Sequence, residues 1–349
     1  MSLKNLLSWS KTEFSQLPWR QNRSLYRTLV SEIMLQQTTV GTVKNHFERF
    51  LVRFPTLKSL ASASEDELLV AWKGLGYYRR ARNLKKIAEA LAKDHGGEFP
   101  HDLEALMEIP GIGPYTANAL VGIGMDKRAL AVDANLERVI ARLLNLKTEK
   151  GLKLQKEIQT LFVNKKIFNE KLSFRELNEA LMDLGRTYCQ ARKASCELCP
   201  LKKDCLAFKE GTPLSIPMMK GEEKKKAVEH ELHLLRVFVM KKDKVLVYQK
   251  GEKEWLSGQY EVPTFILSTT DKTLKQYPSF PKGAKADPLF TFKTGITKYK
   301  IQNSVLLMGE KEFKALAFAN KSEWRSTGDA ESNFSTATLK ALAKLNASR

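Results

Sequence analysis

Apolar residues recur at intervals of three and four from Ser24 to about Lys209. The segments DELLVAWKGL, NLKKIAEALAK, LEALMEI and NLERVIARLL all show this spacing, which is typical of helices that bury one face. The first part of the chain is therefore predicted to be all-α.

The pattern changes after Cys205. The segment KEGTPLSIPMMKGEEKKKA holds two prolines, two glycines and a run of charges, which indicates an exposed connector. Beyond it, ELHLLRVFVM and KVLVYQ flank residues 241–244 and predict a β-hairpin, YEVPTFIL, KYKIQ and SVLLMG read as further strands, and STATLKALAKL as a helix. We expect a helical domain over residues 1–209, a linker over 210–229 and an α+β domain over 230–349.

A carboxylate interrupts the apolar face of the helix predicted over residues 25–37. On a helical projection Leu25, Leu29 and Ile33 lie on the buried arc, and Glu32 lies at its rim. A carboxyl group placed there should be partly desolvated and have a raised pKa, which suits a general acid at neutral pH. The alternative is a rim glutamate paired with an arginine.

Two glycine turns follow. In EIPGIGPYTANAL a helix stops at Pro110, Gly111 and Gly113 allow a tight turn, and Pro114 suits the first turn of a new helix. The free amides of such a helix-hairpin-helix could grip a DNA phosphate, although an ordinary turn between packed helices has the same pattern.

The other turn lies upstream, in WKGLGYYRRARNLKK. Tyr77 and Tyr78 follow Gly74 and Gly76, and a basic run comes next: Arg79, Arg80, Arg82, Lys85 and Lys86. Aromatic rings beside cations suit a surface that distorts DNA, with the cations neutralising phosphates. The alternative is a solvated basic helix with its tyrosines in the core.

Asp133, in AVDAN, precedes an amphipathic helix. Taken alone, an aspartate at this position is a helix cap. A carboxylate at a helix entrance can also face a cleft and stabilise a developing cation, so both roles stay open.

All four cysteines lie in one segment, with six, two and five residues between successive members: Cys189, Cys196, Cys199 and Cys205. The clustering argues against a general disulfide framework. Four thiolates suit a 4Fe-4S cluster, whereas structural zinc usually uses two C-x2-C knuckles and only CELC is present. The spacing favours the cluster over zinc, with unligated cysteines as a third possibility.

Composition and charge narrow the class of partner. The chain has 349 residues, 43% of them hydrophobic, and a formal net charge of +19. We expect two or three globular domains, no membrane span and no targeting segment, hence a cytoplasmic protein close to the chromosome if the host is bacterial. The excess of positive charge favours nucleic acid as the partner, although a merely basic surface is the alternative.

Together these motifs resemble one family. LPWR, SEIMLQQTTV, FPTLKSLA, WKGLGYYRRARNL, IPGIGPYTANAL, AVDAN, FNEALMDLG and the four cysteines occur in the order expected of the MutY family of adenine DNA glycosylases, densely over residues 9–206. The resemblance implies a helix-hairpin-helix glycosylase domain carrying one 4Fe-4S cluster, with a six-helix part at about 21–125 and an iron-sulfur part formed by 1–20 and 126–209. A Nudix-like lesion-recognition domain would follow.

The resemblance also implies roles for individual residues. Glu32 matches the acid that protonates adenine, Asp133 the carboxylate that stabilises the sugar cation, and Asn135 its polar support. Tyr115 stands where the similar endonuclease III has a lysine that forms a Schiff base, which implies a monofunctional glycosylase. Further positions match residues that contact the oxidised guanine or line the adenine pocket: Gln37, Thr38, Leu75 and Tyr77, and Trp19, Arg20, Leu35 and Glu179.

The C-terminal part resembles the family more loosely. GQYEVP is similar to its Nudix-like domain, but no acidic Nudix box follows, so pyrophosphatase activity is not expected. Ile296, Thr297 and Lys298 replace the Phe-Ser-His loop that reads the oxidised base, which puts discrimination between 8-oxoguanine and guanine in question.

The implied substrate is double-stranded DNA containing adenine opposite 8-oxoguanine or guanine, bound by a monomer. A bifunctional lyase of the endonuclease III type is the alternative enzyme, and a non-catalytic iron-sulfur DNA-binding protein is the alternative of another class.

Overall fold

A computed structural model describes residues 3–219, 230–281, 283–296, 298–328 and 332–347. The chain divides into two compact units, one made of residues 1–63 and 71–223 and the other of residues 64–70 and 224–349. The helical character expected before residue 210 and the α+β character expected after residue 229 are confirmed. Within the described ranges, no helix is both long enough and apolar enough to cross a membrane.

Short helices make up the chain before residue 210. They are α1 Lys4–Phe14, α2 Leu25–Leu35, α3 Val40–Arg53, α4 Leu57–Ala61, α5 Glu65–Ala71, α6 Arg79–Asp94, α7 Leu103–Glu108, α8 Pro114–Ala119, α9 Ala134–Leu144, α10 Leu152–Val163, α11 Phe174–Thr187 and α12 Leu206–Lys209. Two 3-10 turns, Pro18–Arg20 and Cys196–Leu198, and a π-helical turn, Leu120–Gly124, complete them.

Side-chain caps fix where several of these helices begin. The hydroxyl of Ser24 accepts the amide of Arg27 at the start of α2, and Asp102 accepts the amide of Ala105 at the start of α7. Such caps satisfy backbone amides that have no partner within the helix. At its other end α2 stops because Gln36 leaves the helical conformation, with ψ of 114°, and Gln37 after it is left-handed, with φ of 57°.

The predicted turn between α7 and α8 is confirmed. Pro114 occupies the first turn of α8, and Gly113 precedes it in an extended conformation. Gly111 has φ of +100°, and a Cβ atom there would lie 2.5 Å from Oδ1 of Asn83. The amide of Asn83 also donates to the Gly111 carbonyl at 2.9 Å, so the turn closes tightly on α6 and leaves no room for a side chain at this glycine.

The helices α9 and α11 pack against each other in a core that also takes in residues of α1 and α10. Its fully buried members include Leu136 and Ile140 of α9 and Leu177, Leu181 and Leu184 of α11. Asp133 lies at the start of α9, and Glu179 lies within α11. The packed pair therefore gives two of the predicted site residues a common rigid support.

In the second unit the strands form two sheets. They are β1 His230–Phe238, β2 Met240–Lys241, β3 Lys244–Gln249, β4 Tyr260–Glu261, β5 Thr264–Thr269, β6 Phe290–Ile296, β7 Tyr299–Leu307 and β8 Ser322–Ser326, with helices α13 Glu310–Lys314 and α14 Thr336–Ala347. One sheet has the order β5-β1-β7-β6, with β1 and β7 parallel. In the other sheet β3 pairs with β2, β4 and β8. The helix predicted in STATLKALAKL is confirmed as α14.

Two details of the predicted strands are wrong. The long hairpin exists only as the short pair β2 and β3, because β1 is largely buried and enters the other sheet between β5 and β7. KYKIQ and SVLLMG form one strand, β7, because its polar residues Asn303 and Ser304 are buried and hydrogen-bonded to Arg236 and His233. Polar residues that find partners inside the unit do not interrupt a strand.

Candidate active site

Glu32 lies in the third turn of α2 and is only 5% exposed. The hydroxyl of Tyr115, the second residue of α8, donates a hydrogen bond of 2.5 Å to its Oε2. The sequence left open a direct pairing of Glu32 with an arginine. The structure shows a phenol, that of Tyr115, as its hydrogen-bond partner instead. The two helices thus bring an acid and a neutral donor together in a largely buried position.

Burial raises the pKa of Glu32 from its usual 4.5 to about 7. The hydrogen bond from Tyr115 and the charge of Arg20 lower this pKa, while the charges of Asp133 and Glu179 raise it. A carboxyl group with this pKa is about half protonated at neutral pH, which is the state that a general acid needs. The raised pKa expected from the sequence is confirmed.

Tyr115 stays protonated. Burial raises its pKa well above 10.0, and the neighbouring charges of Glu32 and Asp133 raise it further. The phenol therefore acts as a hydrogen-bond donor and not as a base. A phenol also cannot form a Schiff base, which requires an amine at this position.

Asp133 is the N-cap of α9. Its Oδ1 accepts the amides of Asn135 and Leu136, each at 2.8 Å, and its Oδ2 accepts the side-chain amide of Asn135 at 2.8 Å. Its charge still raises the pKa values of Glu32 and Tyr115. The two roles left open by the sequence are thus compatible, because the cap holds the carboxylate in place while its charge reaches the buried acid.

Arg138, which the sequence did not single out, joins Asn135 to the cysteine segment. Its Nη2 donates to Oδ1 of Asn135 and to the carbonyl of Gly185, both at 2.9 Å, and its Nε donates to the carbonyl of Cys189 at 2.8 Å. An arginine among the buried positions of α9 was the available signal. One buried guanidinium thereby ties the support of Asp133 to the first cysteine.

Arg20 and Glu179 also meet. Nε of Arg20 lies 3.5 Å from Oε2 of Glu179, whose two oxygens accept both Nη atoms of Arg23 at 2.7 and 3.1 Å. Trp19 is buried and packs edge-on against Phe47, with ring centroids 5.8 Å apart. Beside this group is a cavity of about 160 Å³, lined by Leu7, Ser10, Lys11, Ser15, Arg20, Gln21, Arg23, Glu176 and Glu179.

The end of α2 meets the Gly74 turn. Leu35 is half-buried, Gln37 is exposed, and the hydroxyl of Thr38 lies 3.4 Å from the carbonyl of Leu75. Leu75 is 5% exposed, whereas Tyr77 is 61% exposed in a left-handed conformation, with φ of 46°. The structure therefore brings these predicted contact residues together, with Tyr77 presented to solvent and Leu75 packed inward.

Arg80 holds these two segments together. The sequence placed it among the cations that neutralise phosphates, but it is buried and donates to protein oxygens. Its acceptors are the carbonyls of Ile33, Met34 and Gln36, the hydroxyl of Thr38, and the carbonyls of Leu75 and Gly76. Its position on the buried face of α6, with Leu84, Ile87 and Leu91, was the signal that it points inward.

The four cysteines are free, half-buried thiols. The pKa of Cys199 is raised to about 11, mainly by burial and also by the charges of the other three thiols, which places the four near one another. Nη1 of Arg142 also donates to Sγ of Cys189 at 3.3 Å. Within the described ranges, no group of three or more histidine, cysteine, aspartate or glutamate side chains is arranged to hold a single metal ion.

In the second unit the predicted lesion-reading loop is the turn between β6 and β7. Thr297 lies outside the described residues. Lys298 is exposed, and its ammonium lies 3.7 Å from Oδ2 of Asp271 and over the ring of Tyr299. An ion pair to an exposed lysine is worth little in water, so Asp271 does not fix the side chain of Lys298.

Comparisons with known proteins identify relatives of the first unit. Residues 30–164 match the model of the HhH-GPD superfamily base excision DNA repair protein. The adenine DNA glycosylase of Buchnera aphidicola subsp. Acyrthosiphon pisum is 36% identical over 209 residues, covering 58% of this chain and 57% of that protein. A solved thermostable thymine-DNA glycosylase shares the fold over 60% of this chain and 95% of its own, with 29% identity and a TM-score of 0.51.

A second relative extends further. The adenine DNA glycosylase of Buchnera aphidicola subsp. Schizaphis graminum is 32% identical over 262 residues, which cover 74% of this chain and 72% of that protein. The matched length passes beyond the helical unit in this case. Together with the order of the sequence motifs and the Glu32, Tyr115 and Asp133 arrangement, this identity shows that the chain belongs to the MutY family of adenine DNA glycosylases.

Proposed function

We propose that this protein excises adenine paired with 8-oxoguanine or guanine in double-stranded DNA by hydrolysing the N-glycosidic bond. The observation that carries the proposal is the buried Glu32, with a pKa of about 7, hydrogen-bonded to Tyr115 and within the electrostatic reach of Asp133. The names of the relatives support adenine as the base.

The chemistry follows from the two carboxyl groups. Adenine must leave the base stack before its glycosidic bond is accessible. Protonated Glu32 then donates its proton to N7 of the base, so that adenine departs as a neutral leaving group. The sugar left behind carries positive charge, which the capped carboxylate of Asp133 is placed to stabilise. Glu32, now ionised, can accept a proton from the attacking water.

Tyr115 supports a monofunctional enzyme. An enzyme that also cleaves the strand uses an amine nucleophile to form a covalent intermediate, and this position offers a phenol whose pKa is raised well above 10.0. We therefore expect an abasic site as the product, with at most weak lyase activity. Borohydride trapping of a covalent complex with abasic DNA would favour the lyase instead.

The four cysteines, Cys189, Cys196, Cys199 and Cys205, would hold one 4Fe-4S cluster. When bound, it would cross-link a segment that has little regular structure of its own and that carries Arg192, Lys193, Lys202 and Lys203 beside the cysteines. Such cations attract DNA phosphates. Purified protein should then be brown, and a colourless protein with stoichiometric zinc would contradict this assignment.

We assign residues 1–209 to the glycosylase domain, 210–229 to a linker and 230–349 to a Nudix-like domain that recognises the lesion. We infer from the sequence resemblance that Lys298, which is exposed, is the residue of this domain that meets the opposite base. An ammonium can donate both to O8 of 8-oxoguanine and to the acceptors of guanine. Single-turnover excision from duplexes with either opposite base should therefore show weaker discrimination than a neutral recognition loop would give. We expect the protein to bind DNA as a monomer, at the chromosome.

The proposal is tested by Glu32→Gln, which keeps the shape of the side chain but cannot supply the proton. Excision of adenine opposite 8-oxoguanine should fall by about a thousandfold or more, roughly 4 kcal/mol of barrier, while binding to the duplex is retained. Glu48→Gln is a matched control, because Glu48 is largely exposed and pairs with Arg27. Unchanged excision by Glu32→Gln would exclude Glu32 as the acid.

A further inference from the structure

The Gly74 turn, residues 74–77, has a backbone conformation that its own residues do not favour. Gly74, Gly76 and Tyr77 all have positive φ, of 97°, 69° and 46°. A tyrosine seldom adopts the left-handed conformation, because its Cβ atom then crowds the following carbonyl. The turn therefore depends on side chains that hold its backbone from outside.

Some of these side chains are close in the sequence. Nε1 of Trp72 donates to the carbonyl of Gly76 at 3.1 Å, and Nη2 of Arg80 donates to the carbonyls of Leu75 and Gly76 at 3.0 and 3.2 Å. These donors serve the second half of the turn. The start of the turn is held from another helix.

His46, a half-buried residue of α3, supplies that contact. Its Nε2 lies 2.9 Å from the carbonyl oxygen of Lys73, and its Nδ1 lies 2.9 Å from the carbonyl oxygen of Thr42. A carbonyl only accepts hydrogen bonds, so the ring must donate. A neutral imidazole donates to one of the two oxygens, and an imidazolium donates to both. Because Thr42 belongs to α3 itself, the bond from Nε2 is the one that joins α3 to the Gly74 turn.

The imidazole ring also lies directly against Gly74. A Cβ atom at residue 74 would be 2.7 Å from Nε2 of His46, which is too close for a side chain. The ring therefore fixes the position of the turn by contact as well as by its hydrogen bond.

The turn presents Tyr77 to solvent. The side chain of Tyr77 is 61% exposed, and the guanidinium of Arg80 lies 5.7 Å from the centroid of its ring. A side chain that is inserted between base steps to bend DNA binds best from a preorganised backbone, because ordering a loose turn on binding costs part of the affinity. The availability of Tyr77 therefore depends on what holds the turn.

We infer that His46 is a positioning residue for recognition of the mismatched duplex. Its Nε2 bond to the Lys73 carbonyl holds the Gly74 turn in the conformation that presents Tyr77 to DNA. The inference rests on the proposed function. It gives α3 a role in substrate binding, at a residue that the sequence did not single out.

Two substitutions separate the two hydrogen bonds of the ring. In His46→Gln the side-chain nitrogen can take the place of Nε2 and donate to Lys73. In His46→Asn the shorter amide can take the place of Nδ1 and reaches only Thr42. Both variants lose the ring, so they differ in the bond to the turn.

The first readout is binding, measured in the Glu32→Gln background so that no base is excised. The two duplexes are identical except that adenine is paired with 8-oxoguanine in one and with thymine in the other. His46→Asn should reduce the preference for the mismatched duplex by about tenfold, and His46→Gln should restore it to within about twofold of its original value. Contacts to phosphates are shared by both duplexes and cancel in this ratio.

A double-mutant cycle with Tyr77→Ala tests whether the effect passes through the turn. If His46 acts by placing Tyr77, His46→Asn has little further effect on the preference once residue 77 is alanine, because both changes remove the same interaction. Losses that multiply would overturn the inference.

Hydrogen exchange in the free protein is a readout that does not involve DNA. The amide of Leu75 donates to the carbonyl of Trp72 at 3.1 Å. It should exchange faster in His46→Asn and at the wild-type rate in His46→Gln. The control is His95→Asn, which replaces an exposed histidine at the end of α6 and should change neither binding nor exchange.

Equal behaviour of His46→Asn and His46→Gln, whether both resemble the wild type or both are impaired, would also overturn the inference. A wild-type protein that does not excise adenine would contradict the proposed function instead. Exchange of the Leu75 amide would then still decide whether His46 holds the turn.

Discussion

Tyr115 donates a hydrogen bond of 2.5 Å to Glu32, although the two residues are 83 positions apart in the sequence. One comes from α2 and the other from the first turn of α8, which the Gly111 turn places. The bond favours the ionised form of Glu32, whereas burial opposes it more strongly. The acid strength at this site is therefore a balance between one phenol and the burial of the carboxyl.

That balance predicts the behaviour of Tyr115→Phe. Removing the hydrogen bond, which lowers the pKa of Glu32, should raise this pKa above its present value of about 7. Excision needs the protonated acid, so its rate falls as pH rises through the pKa, and the alkaline limb should move to higher pH. Single-turnover rates from pH 5.5 to 9 measure the shift.

Tyr26→Phe is the control for this experiment. Tyr26 is also buried, but its hydroxyl donates to the carbonyl of Phe54. It should leave the pH profile where it is. A shift of the Tyr115→Phe profile to lower pH would mean that the phenol does not stabilise the carboxylate.

Glu32 should also reduce stability at high pH. Its folded-state pKa of about 7 lies above the usual 4.5, so the folded protein binds the proton more tightly than the unfolded chain does. The contribution to stability is complete below about pH 4.5 and is lost as pH rises through 7, at most about 3 kcal/mol in total. Glu32→Gln cannot titrate, so the variant does not lose stability as pH rises through 7.

Urea denaturation at pH 5 and pH 8 tests this. The free energy of unfolding of Glu32→Gln should exceed that of the wild type at pH 8, and the difference should shrink at pH 5. Equal differences at the two pH values would show that Glu32 does not titrate in this range.

Arg80→Lys should destabilise the first unit. A lysine ammonium cannot reach the carbonyls at the end of α2 and those of the Gly74 turn together, as the guanidinium of Arg80 does. Leaving several buried carbonyls without donors should cost about 3 kcal/mol. Thermal denaturation measures the loss, and hydrogen exchange should rise at residues 33–38 and 74–77.

Arg79→Lys is its matched control. Arg79 is the neighbouring residue and is exposed, so the substitution keeps a surface charge and should not change the melting temperature. If the two variants were equally stable, the hydrogen bonds of Arg80 would not hold these segments together.

In the second unit Glu261 should be required for stability above acid pH. Burial alone would raise its pKa, but Arg236 and Lys250, at 2.6 and 2.9 Å, lower it to about 2. Its contribution is therefore present above pH 4.5 and is lost as pH falls towards 2. Glu261→Gln leaves two buried cations with only partial compensation and should cost about 3–5 kcal/mol at pH 7.

Hydrogen exchange of β1 and β7 in the full-length protein follows this loss. Exchange in Glu261→Gln should exceed that of the wild type at pH 7, and the two should converge as pH falls below 4. Glu254→Gln, a partly exposed neighbour 3.8 Å from Lys250, should have a much smaller effect. Similar effects of both variants would contradict a special role for the buried pair.

The sequence by itself determined the local features. Helical periodicity, the prolines and glycines around residues 110–114 and the cap at Asp133 depend on neighbours within a few positions, so they could be predicted before any packing was known. The same holds for the position of Glu32 at the rim of an apolar face, and hence for its raised pKa. The cysteine spacing belongs to this class too.

Only the tertiary structure decided the partners of these groups. Glu32 bonds to Tyr115 and not to an arginine, Arg80 faces inward although it stands in a basic run, and Arg20 is held by Asp183 of α11. The strand β1 likewise pairs in parallel with β7 instead of forming the long hairpin expected with β3. Each outcome depends on contacts between distant segments, and a buried polar group takes whichever partner the packing brings to it because leaving it without one costs more than any local preference.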